Sequence, residues 1–234
     1  MYRTGRGLDC KSLMALAFQS GRSSYLVGAP KIFSTMTNNN TMATMTYLLV
    51  LLVVGMAHGA SCPANMEDFR TTAVKNNFEP SMLDGQWYEH AYIDIAQAGA
   101  SCPTFNNTHD EATGVISMAL SVKYTIVPFT ITEVYTPYNA TTRGWYAKRA
   151  KMPGGQLLTL PTVVVDATAD TMTLYSCINP LHAAQVNELV FASRSRTIDD
   201  ATLESMKSVA KTAGVVWDDA SLKRVDHSKC KDAR

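Results

Sequence analysis

The residues most committed to a definite chemistry are four cysteines, Cys62, Cys102, Cys177 and Cys230. Their separations of 40, 75 and 53 residues do not suit a zinc centre, which draws its ligands in close pairs. An even number of cysteines in an exported chain is instead a framework for two disulfides, with three pairings left open by the sequence. Histidines at 58, 90, 109, 182 and 227 are scattered, and no metal site is expected. No Gly-x-Ser-x-Gly nucleophile elbow occurs either. Glu89 beside His90 reads as a solvated surface pair. With all four thiols claimed by disulfides, no thiolate is left to act as a nucleophile.

The export expected of such a chain has its own segment. Tyr47 to Met56 reads YLLVLLVVGM, uncharged, and runs into Ala57-His58-Gly59-Ala60-Ser61. A membrane-spanning helix needs about 20 apolar residues, so residues 45–60 read as a signal peptide. The leader 1–44 holds Arg3, Arg6, Lys11, Arg22 and Lys31 against Asp9 alone, a composition like that of an organelle transit peptide. The plainer reading is that translation starts at Met36, Met42 or Met45 and that the upstream stretch, with Cys10, is a gene-model extension. The remaining domain, 61–234, is long enough for one well-buried core. Removing the leader takes five basic and one acidic residue from totals of 21 and 20, leaving 16 against 19, or −3. A mildly acidic domain without a basic run offers no surface to nucleic acid or anionic lipid.

Within that domain, short β-type runs alternate with turn residues. They are Gln86–Ile93, Pro103–His109, Val115–Tyr124, Phe129–Tyr138, Arg143–Lys151, Leu158–Asp166, Thr171–Ile178 and Asn187–Arg194. Runs of this length and spacing predict an antiparallel barrel or sandwich. A helix is predicted over 199–211, with acids in its first turn and lysines near its end. Leu203, Met206, Val209 and Ala210 form its apolar stripe, and Gly214 stops it. Eight strands and one terminal helix favour the barrel.

The stretch Phe78 to Glu89, with Gly85-Gln86-Trp87 at its centre, resembles the first signature of the lipocalin family. Arg194 stands where that family places an arginine at the end of the last strand, stacked on the tryptophan. The resemblance covers 61–234 and implies an eight-stranded antiparallel up-and-down β-barrel with one C-terminal helix packed on it. Within the family the chain is most similar to apolipoprotein D and the insect bilin-binding proteins. That similarity implies the pairs Cys62–Cys177 and Cys102–Cys230, and N-glycans at the sequons of Asn106 and Asn139. One element departs: the family's Thr-Asp-Tyr triplet aligns with Asp166-Ala167-Thr168, which puts the closed-end contacts of that loop in doubt.

A barrel of eight strands can hold one small ligand among its inward side chains, and inward positions alternate along each strand. If Cys177 reaches an external segment it points out, so Met172, Leu174 and Ser176 point in. With Arg194 outside the cup, Leu189 and Phe191 are expected to face in. Apolar periodicity adds Met118, Leu120, Ile131, Tyr135 and Tyr146, the tyrosines being candidates to orient a ligand. The resemblance implies a secreted carrier of a retinoid, fatty acid, sterol, carotenoid or bilin, needing no cofactor, a monomer or weak homo-oligomer, with a cell-surface receptor as a further candidate partner. It also leaves two alternatives: a lipocalin-type isomerase, and a protein-binding or inhibitory lipocalin working through its open-end loops.

Overall fold

Each strand of a sheet leaves backbone groups to be met on both edges, and here the sheet meets them by curling on itself. The computed structural model describes residues 62–230 apart from 95–96, 125–126, 152–156 and 180–184. Residues 1–44, the stretch 45–60 read as a signal peptide and His182 therefore lie outside the described residues. Eight strands run β1 (Gly85–Ile93), β2 (Ala100–His109), β3 (Ile116–Tyr124), β4 (Val127–Pro137), β5 (Trp145–Lys151), β6 (Leu157–Ala167), β7 (Thr171–Ile178) and β8 (Val186–Ser193). Successive strands pair antiparallel, and β1 pairs with both β2 and β8, which closes an eight-stranded barrel. Strand β3 shows the expected alternation, burying Ile116, Met118, Leu120 and Val122.

Several features escaped the sequence reading. Helix α1 (Thr72–Asn77) is a single short turn capped by Thr71, whose Oγ1 accepts from the Val74 amide; six residues are too few to show periodicity. A two-residue strand, β9 (Lys223–Arg224), pairs with Ala91 and Tyr92 where β1 has parted from β2. A register shift between Glu89 and Ala91 is a bulge that twists β1. Helix α2 (Asp200–Thr212), by contrast, falls where expected, with Asp199 accepting from the Thr202 amide at 2.7 Å. It lays Leu203, Met206 and Ala210 onto the outer wall of the barrel. Among the described residues no helix is long and apolar enough to cross a membrane.

The segment before β1 closes one end of the barrel. Val74, Phe78 and Leu83 join the interior cluster around Trp87, whose indole donates to the Leu83 carbonyl at 2.8 Å. The Arg194 guanidinium lies 3.7 Å from the Trp87 ring centre and donates to the carbonyls of Met82, Asp84 and Gln86. Gly85 takes φ +81°, and a Cβ there would sit 3.4 Å from the Arg194 guanidinium. At Gly144 (φ +71°) a Cβ would come within 2.6 Å of Val74, so the β4–β5 turn admits α1 only as glycine.

The aligned but altered triplet proves harmless. Asp166 accepts from the Thr71 hydroxyl at 3.0 Å, and the loop reaches Arg194 through the carbonyls of Ala169 and Asp170. Backbone acceptors serve whatever the side chains are. Both disulfides form, Cys62–Cys177 and Cys102–Cys230, tying the two terminal segments to the outside of the wall.

The floor supplies a stability prediction. Trp87→Ala removes a fully buried indole and should destabilise by roughly 3–5 kcal/mol. Arg194→Ala should cost less, about 1–2 kcal/mol of stacking plus its unmet carbonyls. Chemical denaturation of each variant checks the order, and an Arg194 variant hurt more than the Trp87 variant would contradict it.

Candidate functional site

The expected cup residues divide into four groups, three inside the barrel and one outside. Leu120, Tyr135 and Leu174 line a small void in the barrel centre. Met118, Met172 and Tyr146 are interior but belong to the packing nearer the floor: Met118 pairs across from Asn107, Met172 from Ala192, and the Tyr146 ring sits 6.4 Å from Phe78. Ile131 is buried opposite Leu120 on the same face.

Leu189 and Phe191 are a correction. Both lie on the outer face with Leu203 and Met206 of α2, and the Phe191 ring is 5.8 Å from Trp217. Their neighbours Val190 and Ala192 face in. The error came from placing Arg194 outside the inward row. Trp87 is itself an inward residue, so the arginine stacked on it continues the inward parity of β8 past the end of the strand.

That parity brings a polar group to the middle of the barrel. Glu188 (β8), Glu133 (β4) and Lys148 (β5) are all buried. Lys148 Nζ donates to Glu133 Oε1 at 3.2 Å and to Glu188 Oε2, and the Tyr135 hydroxyl donates to Glu133 Oε2 at 2.6 Å. Beside them, Thr162 and Ser176 share a hydrogen bond of 2.7 Å. The void these residues surround, with Phe105, Val190, Asp94 and Gln97, is about 10 Å³, the space of roughly one water. A wider cleft of about 360 Å³ is lined by Ile93, Asp94, Gln185, Val186, Asn187 and Ser221, and shares Asp94 with the void.

Glu89 and His90, expected on the surface, are buried instead. Ordinary alternation from the inward Trp87 puts them on opposite sides, and the bulge after Glu89 changes the facing only from Ala91 on. His90 turns outward to Ser193 and to the His227 ring, and burial lowers it to about 4. Glu89 turns inward, where Gln97 Nε2 donates to it at 3.4 Å. Burial, with Asp94 nearby, pushes Glu89 well above the usual carboxylate range. Burial also pulls Lys148 down, but Glu133 and Glu188 outweigh it and hold the ammonium firmly charged. Glu188 is pushed by burial up to about 7, against the pull of Lys148.

Part of this centre was readable. Glu133 shares the parity of Ile131 and Tyr135, and Lys148 that of Tyr146, so the inward rows already contained both charges. Glu188 was hidden by the parity error on β8; Glu89 shares the parity of Trp87 and was readable, but was taken for a surface residue. Among the described residues no three His, Cys, Asp or Glu side chains are placed to hold a metal ion.

The buried charges give a signed pH dependence. A carboxyl raised from 4.5 to about 7 on folding contributes stability that is complete below 4.5 and is lost as pH rises through 7. Glu188→Gln should therefore gain on the parent protein as pH climbs from about 5 to 7.5, read as the difference in Tm; His90, which works in the opposite direction, is common to both and cancels. Lys148→Met leaves two buried carboxylates without a counter-charge and should cost about 3–5 kcal/mol. A Tm difference for Glu188→Gln that does not move with pH would contradict this assignment.

No family model matches the sequence, and no curated protein does. Among solved structures the chain is similar to insecticyanin from the tobacco hornworm Manduca sexta, at 20% identity, over 64% of this chain and 82% of that one, with a TM-score of 0.53. Apocrustacyanin C2 is similar at 14% identity over 71% and 88%, with a TM-score of 0.54. An odorant-binding protein is similar at 14% identity over 66% and 98%, with a TM-score of 0.50. Closed barrel, plugged floor, Trp87 under Arg194 and a helix on the wall together make this the lipocalin fold.

Proposed function

We propose that the protein is a secreted carrier that binds one small, largely apolar ligand in the barrel cup, with the polar end of the ligand at the central cluster. The observation that carries this reading is a polar centre, with Glu133, Lys148, Glu188 and Gln97, facing a void inside the closed barrel. The surrounding wall of Phe105, Leu120, Leu174 and Val190 suits an apolar body, whose transfer from water is worth roughly 25 cal/mol per Å². The similar odorant-binding protein supports a binding role for this scaffold.

Two disulfides favour an oxidising, extracellular setting, in keeping with the signal peptide read at 45–60. Asn106 and Asn139 are exposed and open to glycosylation. Kinship with the apolipoprotein D and bilin-binding branch remains part of the proposal. A thiol-based isomerase is disfavoured, because all four described cysteines are in disulfides.

Titration with the neutral probe N-phenyl-1-naphthylamine should give saturable, one-to-one fluorescence enhancement. Leu174→Arg puts a charge in the apolar wall and should weaken that binding at least tenfold. Val216→Arg, at an 83% exposed site, should leave it unchanged. A folded protein that shows no saturable binding would overturn the carrier reading.

A further inference from the structure

After α2 the chain returns across the barrel at the bulge of β1 and is held there by a small set of groups. β9 pairs Lys223 with Tyr92 and Arg224 with Ala91, and the Val225 amide donates to the His90 carbonyl at 2.9 Å. Further on, His227 Nε2 donates to the Glu89 carbonyl at 2.8 Å, while Arg196 donates to the carbonyls of His227 and Cys230. His90 lies beneath this strap, its Nε2 bonded to Ser193 Oγ at 2.9 Å and to the Ser195 carbonyl at 3.0 Å. The two imidazoles meet edge to face with their centres 5.5 Å apart, and the Tyr88 ring stands 5.4 Å from His227. Both histidines are buried, His90 5% and His227 3% exposed.

We infer that His90 and His227 form an acid-sensitive latch, closed while both rings are neutral, that lets residues 223–229 lift from β1 when the rings take up protons. The latch does not depend on what the cup binds. Two imidazolium rings at this separation repel strongly where water is excluded, and their surroundings add to the repulsion. His90 faces His227 and Arg224, and His227 faces Arg196, with the carboxylate of Asp226 beside it. That carboxylate is already engaged by Ser228 and Lys229. From β8 and the turn after it, the neutral Ser193 and Ser195 face the rings. The neighbouring Glu89 side chain turns into the barrel, where burial raises it well above the usual carboxylate range, so it supplies no counter-charge.

Burial, helped by the charges of His227 and Arg224, holds His90 down at about 4 against the pull of the Ser195 carbonyl, and burial lowers His227 as well. A histidine freed by opening titrates near 6.5 and takes a proton that the closed form refuses. The closed state is therefore firm above about 6.5 and weakens as pH falls from there toward 4. Opening reaches beyond the strap. Lys223 Nζ stands 5.3 Å from the Tyr92 ring centre and donates to the Ala100 carbonyl, and the Tyr92 hydroxyl donates to the carbonyls of Gln97 and Ala100. Lifting β9 thus bares the edge of β1 and removes a support from the loop that brings Gln97 to the central void. The Cys102–Cys230 disulfide keeps the lifted segment tethered, so it can close again.

The test is hydrogen exchange of the disulfide-intact protein, read by mass spectrometry and corrected for the intrinsic pH dependence of amide exchange. With His90 at about 4 when closed and near 6.5 when open, protection of residues 223–227 should fall about 30-fold between about pH 7.5 and 5. Amides of β3 should keep their protection over the same range. A double variant, His90→Gln with His227→Gln, retains an Nε2 donor at each place but cannot take up a proton, so its protection should not change with pH. Should that variant misfold, the imidazole titrations of the parent protein, followed by NMR, decide: both midpoints should lie below about 6.5. Protection in the parent that ignores pH, an equal fall in the double variant, or a His90 midpoint at or above about 6.5 overturns the latch.

Discussion

Strand β1 has to satisfy two neighbours at once. Its first half gives one edge to β2 and its second half the other edge to β8, and without that double pairing the sheet has two open edges and no inside. The bulge between Glu89 and Ala91 reconciles the two registers. Its consequences reach far along the strand: it leaves a backbone edge that β9 covers, with the Val225 amide donating to the His90 carbonyl at 2.9 Å. It also turns Ala91 to the outer face beside Phe191, where alternation from Trp87 and Glu89 would have had it face in. Wall, clamp and site all follow from how one strand shares its hydrogen bonds.

The same closure explains why charges can survive in the centre. Lys148, on β5, meets one carboxylate from the neighbouring β4 and one from β8, three strands away, and only a sheet wrapped into a barrel brings β8 against β5. The ion pairs are not there for stability alone, since a well-packed apolar centre of equal volume would serve as well or better. Their retention separates this interior from a purely apolar core.

Sequence reading reached the wall more easily than the content. The strands announced themselves by alternation, as in Ile116, Met118, Leu120 and Val122, and α2 by its cap and stripe. A six-residue helix and a two-residue strand carry no periodic signal, because they are ordered by what they pack on. Inward rows could be read only as far as their anchors were correctly placed. Cys177 was a sound anchor for β7, tied as it is to a segment outside the wall. Arg194 was an unsound one for β8, because a floor residue belongs to the inside row even though it lies beyond the cup. Leu189, Phe191 and Glu188 all changed sides with that single assignment. Attention to apolar residues then concealed Glu133 and Lys148, whose parity had placed them inside from the start.

The two disulfides also overlap along the chain. Cys62–Cys177 spans the first stretch and Cys102–Cys230 the second, so every peptide bond between 62 and 230 lies inside at least one covalent ring. A single cut by a protease in any connecting loop leaves the fragments in one molecule, with the plug, the wall and the C-terminal clamp still joined. Such a barrel can be nicked once and still not come apart.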